Sequence, residues 1–266
     1  MIRLRLVSLA LPAAACLLAQ APNVNEGSVV DAAAFNRPTA PGSIVSIFGT
    51  NFASSLAQAS TVPLSTSLGG VSVTFNGIAA PLFFVSPMQI NAQLPAGLTG
   101  TTASIVVRQA GGTSTARTIA INQVAPNIFT LNQQGTGQGA VFHANSLTLA
   151  ARAGAFAPQF ESRPARAGDV LTVFTNGLGP VDPPLQDGNN SLDRIRNTTV
   201  RPTVTIGSVA VPDGDILFSG LAPQFVALYQ INLRVPPGVA AGDAVPLRIR
   251  MSGVESSAQV TIATAQ

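Results

Sequence analysis

The sequence predicts an all-β chain folded as two successive β-sandwiches behind a cleaved leader. Three observations carry this prediction: a turn-rich composition poor in charge, a set of segments that occurs twice in the same order, and a two-residue apolar alternation inside those segments. Of 266 residues, 46% are hydrophobic and only 9% charged, while 24 Gly and 20 Pro make up about a sixth of the chain. That balance suits short strands joined by tight turns, and the length accommodates two domains of ordinary size.

The repeats are the stronger evidence. The twelve residues "FVSPMQINAQLP" from Phe84 and "FVALYQINLRVP" from Phe225 agree at six positions, 141 residues apart. "PGSIVSIFGTNFA" from Pro41 matches "AGDVLTVFTNGLG" from Ala167 at an offset of 126, and "VTFNGIAA" from Val73 matches "VTIGSVAV" from Val204 at 131. Offsets that grow along the chain mean the same elements in the same order, with insertions in the second copy.

Each element has strand chemistry. Val45 and Ile47 alternate with Ser46, and Leu171 and Val173 with Thr172, the period that turns one face to a core. Ile90, Ala92 and Leu94 alternate with Gln89, Asn91 and Gln93, and the second copy repeats the pattern around Gln230 and Asn232. These polar pairs are expected to bond the backbone of a neighbouring loop. Asn76-Gly77 sits between two apolar runs, a strong two-residue hairpin signal, and Gly207-Ser208 takes its place in the second copy as a type II′ turn. Asp213-Gly214-Asp215 reads as a turn with Gly214 at positive φ. Phe83 and Phe84 are consecutive, so one is expected at a domain interface.

The predicted boundaries follow: a leader over 1–21, a first sandwich over 22–123, a connector over 124–165 and a second sandwich over 166–266. Each repeat is near the size of an immunoglobulin-like sandwich. The connector carries a hairpin from Ala140 to Ala150 that turns at Asn145-Ser146 and is expected to dock on one sandwich.

The leader has Arg3 and Arg5 ahead of an apolar run to Leu18, then small residues at Ala19 and Ala21, the anatomy of a secretory signal. A lipoprotein acylated at Cys16 is the alternative. Export to the envelope or the outside is therefore expected. With the leader removed no thiol remains, which excludes disulfides and cysteine metal sites. No later segment is apolar enough to span a membrane. The chain has 14 Arg and no Lys against 11 acids. Without Arg3 and Arg5 the charges nearly cancel, which leaves no footprint for nucleic acid.

Catalytic residue types are scarce. His143 is the only histidine, and the first repeat has no carboxylate between Asp31 and Glu161. A multi-histidine zinc site is thereby excluded, and no G-x-S-x-G sequence supplies a serine nucleophile. "DGNNSLD" sets Asp187, Asn189, Ser191 and Asp193 at alternate positions, as a calcium loop begins, but Leu192 stands where the loop's glycine belongs. Asp187, Asn189 and Asp193 are thus the candidate calcium ligands, against a solvated turn-rich loop. With no Trp and one Tyr, Tyr229, an aromatic sugar platform is disfavoured.

"APGSIVSIFGTNFA", "PLFFVSPMQINAQLP", "NGLGPVDPP" and "FSGLAPQFVALYQINLRVPPGVAAGD" together resemble an uncharacterised C-terminal domain family of secreted acidobacterial (Solibacter-type) proteins. Each half is also similar to an IPT/TIG immunoglobulin-like domain. The resemblance implies two tandem IPT/TIG-like sandwiches with no assigned activity, and places Ala227 where that family usually has Gly. The expected function is a non-enzymatic binding or structural module for cell-surface attachment, adhesion or extracellular assembly, with envelope proteins or polysaccharide as partners. A glycan-binding accessory module assisted by calcium is the alternative, and a hydrolase with an atypical site comes third.

Overall fold

The structure is a computed structural model that describes residues 20–266. Almost all of the leader lies outside the described residues, and with it Arg3, Arg5, Cys16 and the signal and lipoprotein readings built on them. Among the described residues the regular structure is β, apart from one 3-10 turn at Asp213–Asp215. No helix among them is long and apolar enough to cross a membrane.

Two cores form, one per repeat. In the first sandwich, one sheet runs in the order Asn23–Asp31, Ile44–Thr50, Gln89–Gln93, Leu82–Val85, Ala57–Gln58, and the other is centred on Val71–Phe75 and Thr102–Gln109. Val45, Ile47 and Ile90 from the first sheet meet Val73, Phe75 and Ile105 from the second, all fully buried. Each such side chain contributes roughly 1.5–3 kcal/mol by leaving water. In the second sandwich a nine-stranded sheet centred on Val170–Asn176 and Tyr229–Arg234 faces a sheet centred on Gly242–Met251 and Val260–Thr264.

The duplication extends to strand register. Ser46 lies opposite Asn91 in the first copy, and Thr172 opposite Asn232 in the second. The hairpins agree too: Phe75 pairs with Ile78 and Ile206 with Val209. Asn76 and Gly77 both have positive φ, whereas Gly207 alone does so in its pair, which gives the type I′ and type II′ turns that these residues favour.

Several expectations change. Residues 124–165 do more than connect: Asn127–Ile128, Val141–His143, Leu149–Ala150 and Ser162–Arg163 all enter the nine-stranded sheet, and Gly137–Gln138 pairs with Val260–Thr264. The hairpin turns at Asn145, whose φ is 59°, and lies against Val170–Asn176. Gly214 does not take positive φ, because the inserted Asp213–Asp215 segment closes as a 3-10 turn. Ala227 does, at 56°, in the left-handed region that favours glycine.

The repeated amides bond along their own strand. Gln89 Nε2 donates to Asn91 Oδ1 at 2.9 Å, and Gln230 Nε2 to Asn232 Oδ1 at 3.3 Å. Ser46 Oγ also donates to Asn91. No neighbouring loop is needed, because residues two apart on one strand face point the same way. Phe83 and Phe84 are both half-buried, and Phe84 lies opposite Asn91 within its own sheet.

Candidate functional site

The polar chemistry of the chain converges on the seam between the two sandwiches. Val170–Asn176 is a buried strand whose last residue reaches past the sheet. Asn176 Nδ2 donates to the Ile44 carbonyl at 2.7 Å, and Asn176 Oδ1 accepts the Ile44 N–H at 3.0 Å. The side-chain amide thus pairs with the other sandwich as a peptide group would. Its remaining N–H goes to Asp31 Oδ2 at 2.8 Å. Asp31 Oδ1 accepts from the backbone N–H groups of Ala33 and Ala34. Burial pushes the Asp31 carboxyl up to about 6, against the opposing pull of Ala33, Ala34, Asn127 and Asn176. Beside this clasp, Asn36 and Asn127 exchange amide hydrogen bonds at 3.1 and 3.2 Å.

A second clasp uses the loop after Pro184. Gln93 Nε2 donates to Asp187 Oδ1 at 3.1 Å, while Gln93 Oε1 accepts the Gly188 N–H at 2.7 Å. Asp187 also accepts the Ala96 N–H, and Leu64 N–H donates to the Gly188 carbonyl. Burial raises the Asp187 pKa, and the Ala96 N–H opposes it. Gln93, read as outward-facing, is buried because this loop covers it.

The candidate calcium ligands are therefore not brought together. Asp187 faces the first sandwich, and Asn189 donates to the Gln186 carbonyl. Asp193 is gripped at both oxygens by Arg196, at 2.6 and 3.1 Å. Arg196 first, and then Arg194, hold the Asp193 carboxyl well below its usual range. Arg196 also donates to Ser191 Oγ and the Pro184 carbonyl, so a guanidinium fills the middle of the proposed calcium loop. Among the described residues no three His, Cys, Asp or Glu side chains cluster as metal ligands would.

His143 is buried in its hairpin. Its Nε2 lies 3.2 Å from the Arg163 carbonyl, which can only accept, so Nε2 carries the proton. Burial lowers its pKa. Its Nδ1 stands 3.6 Å from Asp169, which is already bonded to Arg163 Nη1 at 2.7 Å. The nearby Ser146 donates to the His143 carbonyl and Ser162 to the Arg152 carbonyl, so neither hydroxyl is bonded to the ring.

Beside the clasps lies a cavity of about 560 Å³ shared by both sandwiches. Leu98 from the first sandwich faces Pro180, Leu185 and Tyr229 from the second, with Thr99 and Thr101 also on its lining. Tyr229 is buried and donates its hydroxyl to the Gly179 carbonyl at 2.7 Å. Burial, and then the Asp187 carboxylate, raise its pKa and keep the phenol neutral. Gly42 approaches so closely that a Cβ there would lie 3.1 Å from Tyr229 Oη.

A signal for this seam was present in the sequence, in the positions where the repeats disagree. At the repeat offsets, Asn176 stands where the first copy has Thr50, Gly179 where it has Ala53, and Tyr229 where it has Met88. Met88 is exposed at 68%, whereas Tyr229 is at 3%.

The IPT/TIG domain model matches residues 34–120. No curated protein matches the chain. Among solved structures, SGBP-B from a complex xyloglucan utilization locus in Bacteroides uniformis is 14% identical over 92% of this chain and 49% of its own, with a TM-score of 0.28. The Bacteroides ovatus mixed-linkage glucan utilization locus SGBP-B, in complex with a mixed-linkage heptasaccharide, is 16% identical over 93% and 46%, with a TM-score of 0.35. The surface glycan-binding protein PbSGBP-B from Prevotella bryantii is 10% identical over 90% and 41%, with a TM-score of 0.28. The chain spans less than half the length of each of these proteins, and likenesses this distant carry no argument about ligand or partner.

Proposed function

We propose that the chain is an exported, non-enzymatic binding or structural module serving cell-surface attachment, adhesion or extracellular assembly, with residues 22–123 and 166–266 as its two repeat units. One observation carries this reading: the buried polar side chains hold the two sandwiches to each other instead of assembling around a reacting atom. Asp31, Asp187 and Asn176 are committed across the seam, Asp193 to Arg196, and His143 to a carbonyl. Acid–base or nucleophilic catalysis needs such groups within reach of each other and of a substrate. Two clasped sandwiches instead form a stiff spacer that presents its outer loops. The leader, and the resemblance to secreted acidobacterial proteins, support export to the envelope or beyond.

The experiment is a pull-down with purified residues 22–266 against envelope and polysaccharide fractions, with calcium and with chelator. Retention of envelope protein regardless of chelator is expected. Retention of polysaccharide alone, lost with chelator, would replace this reading with the calcium-assisted glycan module. Hydrolysis of the polysaccharide fraction, lost in His143→Ala with folding intact, would replace it with an enzyme.

A further inference from the structure

We propose that the cavity between the sandwiches is a binding site for a single uncharged, largely apolar small molecule with a hydroxyl- or amide-bearing end. The proposal goes beyond the attachment reading, which concerns outer surfaces and stands or falls separately.

Size and composition set the ligand class. About 560 Å³ lies within the ~300–1,000 Å³ usual for small-molecule pockets. The walls are apolar, made by Leu98, Pro180, Leu185 and the ring of Tyr229. Its lining includes no Arg, His, Asp or Glu, and Tyr229, its one titratable group, is held neutral. A charged ligand would lose its hydration with no charged side chain on the lining to replace it, since the nearby Asp187 carboxylate is already bonded to Gln93 and the Ala96 N–H. A neutral one meets no such penalty.

The polar groups orient the molecule. Thr99, Thr101 and Gln123 line the cavity and are exposed at its solvent side, so they offer uncharged donors and acceptors to one end of a ligand. The apolar body would lie inward against Tyr229, whose hydroxyl proton is spent on Gly179. Both sandwiches supply walls, so the site exists only while the Asp31–Asn176 and Gln93–Asp187 clasps are closed. The residue that lines this cavity in the second repeat is an exposed methionine in the first, so the fold of the repeat does not require an aromatic ring here.

The test uses purified residues 22–266 and Nile red, an uncharged dye whose emission rises and shifts to the blue in apolar surroundings. Saturable binding at one dye per chain, insensitive to salt, is expected. Leu185→Trp, which fills the cavity, and Thr99→Trp, which narrows its solvent side from an exposed position, should each weaken binding at least tenfold. Phe225→Ser, which removes an exposed ring outside the cavity, should leave binding within twofold. Because Thr99 is exposed, its variant reports on the site even if Leu185→Trp does not fold. Absence of saturable binding, wild-type affinity in folded Thr99→Trp, or loss of binding in Phe225→Ser would each overturn the proposal.

Discussion

Asp31 and Asn176 meet across the boundary between the two sandwiches, Nδ2 to Oδ2 at 2.8 Å, with both side chains fully buried. They are 145 residues apart in the chain. Neither has an alternative partner in water, so the contact couples the stability of one sandwich to the other.

Replacing Asn176 by Ala would leave Asp31 Oδ2 and the Ile44 N–H without a partner, while Asp31 Oδ1 keeps Ala33 and Ala34 and the Ile44 carbonyl keeps the Ala32 N–H. Leaving buried polar groups unpaired costs ~1–3 kcal/mol each, less whatever water can enter, so a loss of roughly 2–4 kcal/mol is expected. Calorimetry should show one unfolding transition in the wild type and two in the variant, as the sandwiches uncouple. Combined with Asp31→Ala, the variant should lose less than the sum of the single losses, because the two residues share one network.

The pH dependence of stability follows from the same carboxyl. Its folded pKa of about 6 lies above the 3.8 of a free aspartate. Stability from this group is therefore fully present below about 3.8 and is lost as pH rises through about 6. The total is on the order of 3 kcal/mol. Thermal melts should show Tm falling between pH 4.5 and pH 7. Asp31→Asn should flatten that slope without abolishing it, since Asp187 is shifted in the same direction.

Gly42 and Tyr229 test the closeness of the seam. Gly42 has φ of 81°, and its missing Cβ would crowd Tyr229 Oη. Gly42→Ala is expected to cost roughly 1–2 kcal/mol from the backbone conformation alone, and more from the contact. Tyr229→Phe should cost about 1 kcal/mol by leaving the Gly179 carbonyl unpaired. The double variant should cost less than the sum in denaturant unfolding, because the phenyl ring makes room for the added methyl.

Calcium provides a further check. With Arg196 bonded to Asp193, Ser191 and the Pro184 carbonyl, the loop is already closed by a cation of its own. Chelator should leave the wild-type Tm unchanged within about 1 °C, the behaviour of a protein without a linked ion. Arg196→Met should lower Tm, and millimolar calcium should not restore it. A calcium-dependent rise in wild-type Tm would return Asp187, Asn189 and Asp193 to the role of ligands.

Much of the fold was legible because its causes are local. Alternation around Val45, Ile47 and Ile90 depends only on the two-residue period of a strand, and Asn76-Gly77 only on which residues tolerate positive φ. The "QIN" repeat illustrates the limit. Its conserved amides suggested a contact to another loop, whereas Gln89 and Asn91 bond each other on a half-exposed face, so Asn91→Ala should cost only about 0.5–1 kcal/mol in denaturant unfolding. The connector misled for a similar reason. Its two- and three-residue strands carry too little period to announce themselves, and they exist because the long strands beside them supply hydrogen-bond partners.

By itself, then, the sequence determined two β-sandwiches, the strands that repeat between them, their hairpins and the poverty of catalytic side chains. Only the tertiary structure decided where the polar residues work. Asp31, Gln93, Asn176, Asp187 and Tyr229 show no shared motif, and the contacts between Gln93 and Asp187 or Asp31 and Asn176 span 94 and 145 residues. A hydrogen bond across such a distance is set by how two finished domains dock, and no local period or turn preference encodes it. The seam and its cavity arise where the second repeat departs from the first, at Asn176, Gly179 and Tyr229, which a reading centred on the repeats' agreement passes over.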